Sequence, residues 1–237
     1  MRLLLTALCC LCPVAAEAQW FLSTYTGANY TQPSTISIDL PAQALALDFL
    51  DVHYDAKPLK SPQYYGARLG RFFGGRGFGL EAEFLHLKTY ARTDDSFRTV
   101  GTVQGLAVDA VIPMNTLVYR YNHTHGLNFL FANLVWRRAL GSSPDRPRAA
   151  LVIRGGAGPV RPGVDVVTPA MNVQGYQLAG WGQQIAGGVE WRLTGWLWVM
   201  AEYKLTHAAP EIDLAAGGRG KFDALTHNIA FGIAIGK

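Results

Sequence analysis

The sequence predicts an all-β fold, an eight-stranded antiparallel transmembrane β-barrel in up-and-down order, with short periplasmic turns and long extracellular loops. Three observations carry that expectation. The chain opens with an apolar run too short to span a bilayer, it continues in segments that alternate between two faces, and its connections fall into a short class and a long class.

The opening run reads as a cleaved secretory signal peptide over residues 1–18, leaving a barrel domain over 19–237. Arg2 supplies the basic start, Leu3 to Ala16 the apolar stretch, and Ala16-Glu17-Ala18 a small-x-small site ahead of Gln19. The stretch falls short of the ~20 residues that cross a membrane as a helix. Cys9, Cys10 and Cys12 all lie inside this leader, so the mature chain has no thiol for disulfides, metal binding or nucleophilic catalysis. Leu8, Cys9 and Leu11 are not the small residues that precede a lipidated cysteine, which argues against a lipoprotein. Of 237 residues only 16% are charged and 26 are glycine, low in charge and rich in glycine for a soluble domain. The formal charge of +4 comes without a Lys/Arg block, so nucleic acid is not expected, whereas a mildly basic exterior suits anionic headgroups.

The strands follow in order from their alternation. Gln19 to Tyr30 is the first and Tyr64 to Phe73 the second, with Arg68 on the inward parity. Phe78 to Ala91 is the third, where Leu80, Ala82 and Phe84 face lipid while Glu81 and Glu83 face the lumen. Thr124 to Arg137, Ala149 to Val160 and Tyr176 to Leu193 supply the next three; the run Gly155-Gly156-Ala157-Gly158 is a thin stretch that lets a neighbour approach, since no helix follows to make it a phosphate loop. In the seventh, Leu197, Val199, Ala201, Tyr203 and Leu205 oppose Trp198, Met200, Glu202 and Lys204. In the eighth, Ile229, Phe231, Ile233 and Ile235 oppose Asn228, Ala230, Gly232 and Ala234. Large apolar residues outside and small or polar ones inside describe a narrow barrel in lipid, because a soluble barrel reverses the two faces.

Residues 74–77, 141–148 and 194–195 make short periplasmic turns, and residues 31–62, 92–123, 161–175 and 208–223 make long extracellular loops. Thr35 to Leu40 and Ala44 to Tyr54 alternate within the first loop and predict a hairpin above the membrane. The chain ends Ile235-Gly236-Lys237, a departure from the terminal aromatic residue usual in outer-membrane barrels. Arg68, Glu81, Glu83, Arg154, Glu190, Arg192, Glu202 and Lys204 take inward positions, so the lumen is expected to be plugged by ion pairs rather than open as a pore.

All six histidines, His53, His86, His123, His125, His207 and His227, fall at or above the outer rim. Parity points His86, His207 and His227 outward unless a bulge intervenes, and a straight strand would put His123 and His125 on one face. Adjacent strands bring His86 towards His125 and, on another sector of the wall, His207 towards His227. Two or three imidazoles with a carboxylate such as Glu83 or Asp223 have the chemistry of a transition-metal site or an acid/base pair. No Gly-x-Ser-x-Gly elbow occurs.

Several strings taken together resemble the lipid A oxidase family of small outer-membrane barrels, which are OmpA/OmpW-like in architecture. They are Tyr25-Thr26-Gly27, Tyr64-Tyr65-Gly66-Ala67-Arg68-Leu69-Gly70, the run from Glu83 to Ala91, His125-Gly126-Leu127-Asn128, Glu202-Tyr203-Lys204-Leu205-Thr206 and Thr226-His227-Asn228. The resemblance covers nearly the whole mature chain. It implies oxygen-dependent oxidation of the proximal glucosamine of lipid A to 2-aminogluconate, with release of hydrogen peroxide.

Oxidation at the anomeric carbon needs a base for the hydroxyl proton and an acceptor for the hydride equivalent. The resemblance implies molecular oxygen as the co-substrate, and since the mature chain has no cysteine, flavin motif or nicotinamide fold, a divalent or redox metal ion is the expected electron route. His86 and His125 are the expected catalytic or metal-binding pair, with Glu83 as a nearby acid. Lys88, Asn128 and His227 are the expected substrate contacts, Lys88 as a phosphate or headgroup partner or a snorkelling rim lysine. The expected setting is an integral monomer of the bacterial outer membrane, with outer-leaflet lipopolysaccharide as partner. Two other readings compete: a non-enzymatic structural or adhesion-type barrel, and a lipid A deacylase, which would need a serine close to its histidine.

Overall fold

The computed structural model describes residues 19–57, 63–73, 77–141 and 147–236, so the predicted leader and most of the first two short turns lie outside the described residues. In chain order the described strands are β1 (Gln19–Thr31), β2 (Ser34–Leu40), β3 (Leu45–Val52), β4 (Tyr54–Asp55), β5 (Tyr65–Phe73), β6 (Phe78–Ala91), β7 (Ser96–Val103), β8 (Leu106–Pro113), β9 (Arg120–Leu140), β10 (Ala149–Thr168), β11 (Met171–Tyr176), β12 (Trp181–Arg192), β13 (Leu197–Ala208), β14 (Glu211–Asp213), β15 (Arg219–Phe222) and β16 (Ala224–Ile235). Among the described residues no helix is long and apolar enough to cross a membrane.

Eight of these strands close on themselves. β1, β5, β6, β9, β10, β12, β13 and β16 pair in that order, all antiparallel, and β16 returns to β1. Closure pairs every wall strand on both sides, which a sheet surrounded by hydrocarbon requires. The exterior confirms the predicted parity: Leu22, Leu69, Leu80, Leu134, Ile185, Ile229 and Phe231 are large, apolar and exposed. Trp20, Phe73, Phe78, Trp191 and Trp196 ring the periplasmic end, while Tyr30, Tyr65, Trp181 and Tyr203 stand towards the outer end. This is a membrane-embedded barrel.

The lumen is layered. At the periplasmic end Phe21, Phe72, Val135 and Val152 pack together beside a second cluster of Ala150, Trp198 and Ala234. Above them lies a buried ionic layer of three cations, Arg68, Arg154 and Lys204, against three carboxylates, Glu81, Glu83 and Glu202. The charges balance, Asn133 bridges Glu81 and Glu83, and Gln184 donates to Glu83 and Asn133, so the burial of six ions is compensated within the layer. Higher still, Tyr25, Leu85, Phe129, Phe131 and Val160 begin an apolar core that continues out of the barrel.

That core is covered by a second sheet, in the order β14, β15, β2, β3, β7, β8. Ile36, Ile38, Phe49, Phe97, Ile212 and Phe222 turn inward from it and join the apolar top of the lumen. The predicted hairpin of the first loop is present as β2 and β3. Strands β7, β8, β11, β14 and β15 depart from expectation, since the sequence pattern predicts plain loops over residues 92–123, 161–175 and 208–223. Boundaries also move, and the fifth barrel strand runs on from Val160 to Thr168. The fourth barrel strand begins at Arg120, and the segment from Tyr176 to Leu193 divides into the end of β11, which folds back on β10, and β12.

β9 and β10 have 21 and 20 residues, about twice the roughly 9–11 that cross the hydrocarbon. Counted from their periplasmic ends, they leave the hydrocarbon near Leu130 and Pro159. Everything above those residues stands at headgroup height or beyond.

Candidate functional site at the outer rim

The register lays one row of side chains across four strands of the outer wall. Tyr65 on β5 faces His86 on β6, His86 faces Asn128 on β9, and Asn128 faces Arg161 on β10. His86 has the outward phase expected of it, yet it is only 3% exposed. The Tyr65 ring stacks on it with centroids 4.9 Å apart, and Asn128 Oδ1 lies 2.8 Å from its Nδ1.

Asn128 decides the state of that imidazole. Its amide nitrogen donates towards three main-chain carbonyls, those of His125 at 3.0 Å, Gly126 at 3.4 Å and Arg161 at 3.1 Å. With the nitrogen so committed, Oδ1 accepts, and Nδ1 of His86 is the donor. Nε2 therefore carries a lone pair, and among the described residues no group hydrogen-bonds to it. The expected substrate contact Asn128 is thus occupied within the wall.

A bulge in β9 explains the arrangement. Leu127 faces Leu87 and His123 faces Thr89, so β9 has two more residues than β6 over the same stretch. It has the same excess against β10, where Leu127 faces Pro162 and Asn122 faces Asp165. Gly126 sits in the bulge at φ +83°, and a Cβ there would come within 2.4 Å of the His86 ring. Gly163 on β10 gives His125 the same freedom, since a Cβ at that position would lie 2.5 Å from the His125 Cβ.

The bulge breaks the parity and corrects the expectation that His123 and His125 share a face. His123 is buried, with Nδ1 3.2 Å from Thr89 Oγ1 and its ring stacked on Phe222 at 4.9 Å. His125 is exposed and meets Tyr176 edge-on at 6.1 Å. It also brings His86 and His125 to one hollow of about 540 Å³ on the outer wall, with Tyr65, Phe84, Leu130, Pro159, Arg161, Tyr176 and Leu178 among its lining. No serine or carboxylate lines this hollow among the described residues, which leaves a deacylase nucleophile without a candidate.

Other expected site residues lie elsewhere. Glu83 is on the inward parity, where it accepts from Tyr25, Arg68, Lys204, Asn133 and Gln184, so it belongs to the lumen and is not an acid beside His86. Lys88 is 2% exposed, with its ammonium 5.8 Å from the Tyr90 ring; both faces of β6 are buried from Leu85 to Ala91, and β4 pairs alongside its end. His227 is on the sector of β1, β13 and β16, between Gln32, Tyr30 and Tyr203. His207 pairs with Asp223 at 3.0 Å on that sector, and His53 lies edge-on to Phe97 above the barrel.

These positions bear on the expected metal. Among the described residues no three His, Cys, Asp or Glu side chains gather closely enough to hold an ion. Glu83 is across the wall, Asp223 is taken by His207, and His86 has Nδ1 engaged and Nε2 sealed. The donor set therefore does not fit a resident metal. Tyr65, Arg161 and Tyr176 were not singled out from sequence; the signal for them was the loss of alternation around Gly126, which marks the bulge that faces them.

No protein-family model and no curated protein matches the chain. Among solved structures the chain is similar to Neisserial surface protein A, at 9% identity and a TM-score of 0.46, covering 93% of this chain and 99% of that one. It is also similar to the outer membrane protein AlkL, at 9% identity and 0.44 over 93% and 90%, and to the attachment invasion locus protein Ail of Yersinia pestis, at 9% and 0.34 over 91% and 98%. These are likenesses of overall architecture alone. By its own strand pairing and apolar exterior, the chain is an eight-stranded β-barrel of the outer-membrane type.

Proposed function

We propose that this barrel modifies lipid A in the outer leaflet, by oxygen-dependent oxidation of the proximal glucosamine to 2-aminogluconate at the hollow on its outer wall. The observation that carries the reading is the pair of imidazoles gathered at one lipid-facing hollow, His86 fixed in its wall by Asn128 and His125 exposed at its mouth. An exposed imidazole can take a hydroxyl proton. The substrate this chemistry needs has a free anomeric hydroxyl. Its O–H proton passes to the imidazole of His125, the C–H hydrogen leaves as a hydride equivalent, and molecular oxygen accepts both electrons and two protons to become hydrogen peroxide. The anomeric carbon becomes a lactone carbonyl, which water opens to the acid. His86, with its Nε2 enclosed by protein, positions the wall behind that base.

The experiment is mass spectrometry of lipid A from cells with and without the protein, grown with and without oxygen. The expected result is an oxygen-dependent gain of one oxygen atom, lost in His86→Ala and His125→Ala while heat-modifiable migration of the barrel persists. An unchanged lipid A in all four cultures would refute it.

A second reading, a non-enzymatic adhesion or structural barrel, is favoured by the six-stranded extracellular sheet. Its terminal strand β8 has Leu106 at 74% and Val111 at 70% exposure, and its outer edge is unpaired among the described residues. Strand edges of this kind recruit extended segments of other proteins.

A further inference from the structure

We infer that the hollow on the outer wall and a second one directly above it form a single cleft for an anionic glycolipid, acyl chain below and charged headgroup above, with Arg161 as the anchor for the charge. The identity of the lipid as lipid A rests on the function proposed above; the cleft rests on its own geometry.

The upper hollow holds about 480 Å³ and is lined by Arg120, Asp165, Gln174 and the Gly163–Val164 backbone. His125 and Tyr176 line both hollows, so the two adjoin at those side chains. Their order along the wall follows from β10. Pro159 and Arg161 border the lower hollow and Gly163 to Asp165 the upper, so the centres are separated by about four residues, roughly 13 Å at the rise of a strand.

Polarity rises in the same direction. Phe84, Leu130, Pro159 and Leu178 line the lower hollow, where β9 and β10 leave the hydrocarbon, and the upper one is lined by charged and amide groups. An amphiphile is the one ligand class whose own polarity follows that gradient, and the bilayer fixes which end points up.

Arg161 lines the lower hollow, two residues along β10 from Gly163 in the upper one. It is exposed, its guanidinium lies 5.3 Å from the centre of the Tyr176 ring, and no described carboxylate comes within ion-pair distance of it. Arg120, by contrast, already faces Asp165 at 3.4 Å. A guanidinium braced on an aromatic face with its donor edge uncommitted suits a phosphate, which takes two parallel N–H bonds. Tyr176 comes from β11, so the β10–β11 hairpin supplies one wall of the cleft and selects the headgroup.

The test uses the full chain folded in detergent micelles and native mass spectrometry. The probes are monophosphoryl lipid A with a free anomeric hydroxyl, the same lipid without phosphate, and glucosamine phosphate without acyl chains. Wild-type protein should retain the monophosphoryl lipid. Arg161→Glu and Arg161→Gln should each weaken retention roughly tenfold or more, as loss of a charge-assisted contact does, and Arg120→Gln less. Removing the phosphate should weaken retention comparably, and glucosamine phosphate should not compete.

Equal retention by both Arg161 variants with heat-modifiable migration intact, or equal retention of the dephosphorylated lipid, would overturn the inference. So would full competition by glucosamine phosphate. Retention that depends on Arg161 and phosphate, without any oxidised product, upholds the cleft and removes the oxidase reading. Oxidation that persists together with unchanged retention in the Arg161 variants does the reverse.

Discussion

Replacing Glu83 with alanine should destabilise the barrel strongly without touching the outer wall. One carboxylate oxygen of Glu83 is approached by Tyr25, Lys204 and, at 3.0 Å, Arg68; the other accepts from Asn133 at 2.8 Å and Gln184 at 2.5 Å. Asn133 keeps Glu81 and Gln184 keeps Asn133 after the substitution, so the amides do not decide the outcome. The charge does. Three buried cations would face two carboxylates, and an uncompensated buried charge costs about 3–5 kcal/mol.

With a urea dependence of about 2 kcal/mol per molar, the unfolding midpoint falls by roughly 1.5–2.5 M. Urea titration in lipid vesicles, read by tryptophan fluorescence and by heat-modifiable migration, measures it. The paired variant Glu83→Leu with Lys204→Met removes one charge of each sign and should recover most of the loss. A Glu83→Ala barrel within about 0.5 kcal/mol of wild type would refute the reasoning, since that is the range of an unremarkable surface substitution. Loss of lipid A oxidation at unchanged stability would return Glu83 to the chemistry.

Gly126→Ala should cost about 1–3 kcal/mol through its left-handed backbone. It should also abolish oxidation by displacing the His86 ring, a combination checked by thermal unfolding alongside lipid A mass spectra. His207→Ala and His227→Ala lie on another sector of the wall and should leave the product yield of the same assay unchanged. On β8, the hydrogen bond from Arg98 holds Asp109 below the usual carboxylate range, helped by the opposite charge. Because the folded group is the stronger acid, its contribution is present above the ordinary aspartate pKa of ~3.9 and disappears as pH falls through the folded value. Amide exchange in the β7–β8 hairpin should therefore accelerate below pH ~3.9 relative to the barrel wall, and added salt at neutral pH should act in the same direction.

The wall was legible because a closed barrel in lipid writes its two faces directly into alternate residues. Leu80, Ala82 and Phe84 against Glu81 and Glu83 needed no partner to be identified. The extracellular sheet was not legible, because what makes β15 a strand is β2, at the other end of the chain, and nothing local to Arg219–Phe222 names that partner. The candidate site was legible in part. His86 and His125 do meet on the outer wall, but parity put His123 with them and a bulge removed it. Glu83 and Lys88 were placed by proximity along β6, whereas Glu83 points into the lumen and the outer end of the strand is buried on both faces.

The pairing of β1 with β16 runs from Leu22 and Ile235 up to Thr31 and Thr226. A main-chain bond from Gln32 to Leu225 continues it, and β2 with β15 carries it on to Asp39 and Arg219. One seam, made from the first and last strands of the described residues, thus runs from the periplasmic end of the wall into the cap. Its partners are the farthest apart in sequence of any paired strands described, so the largest loop-closure entropy of wall and cap is concentrated in this one seam. With the seam open, the ionic layer and the apolar underside of the cap would lose their cover together.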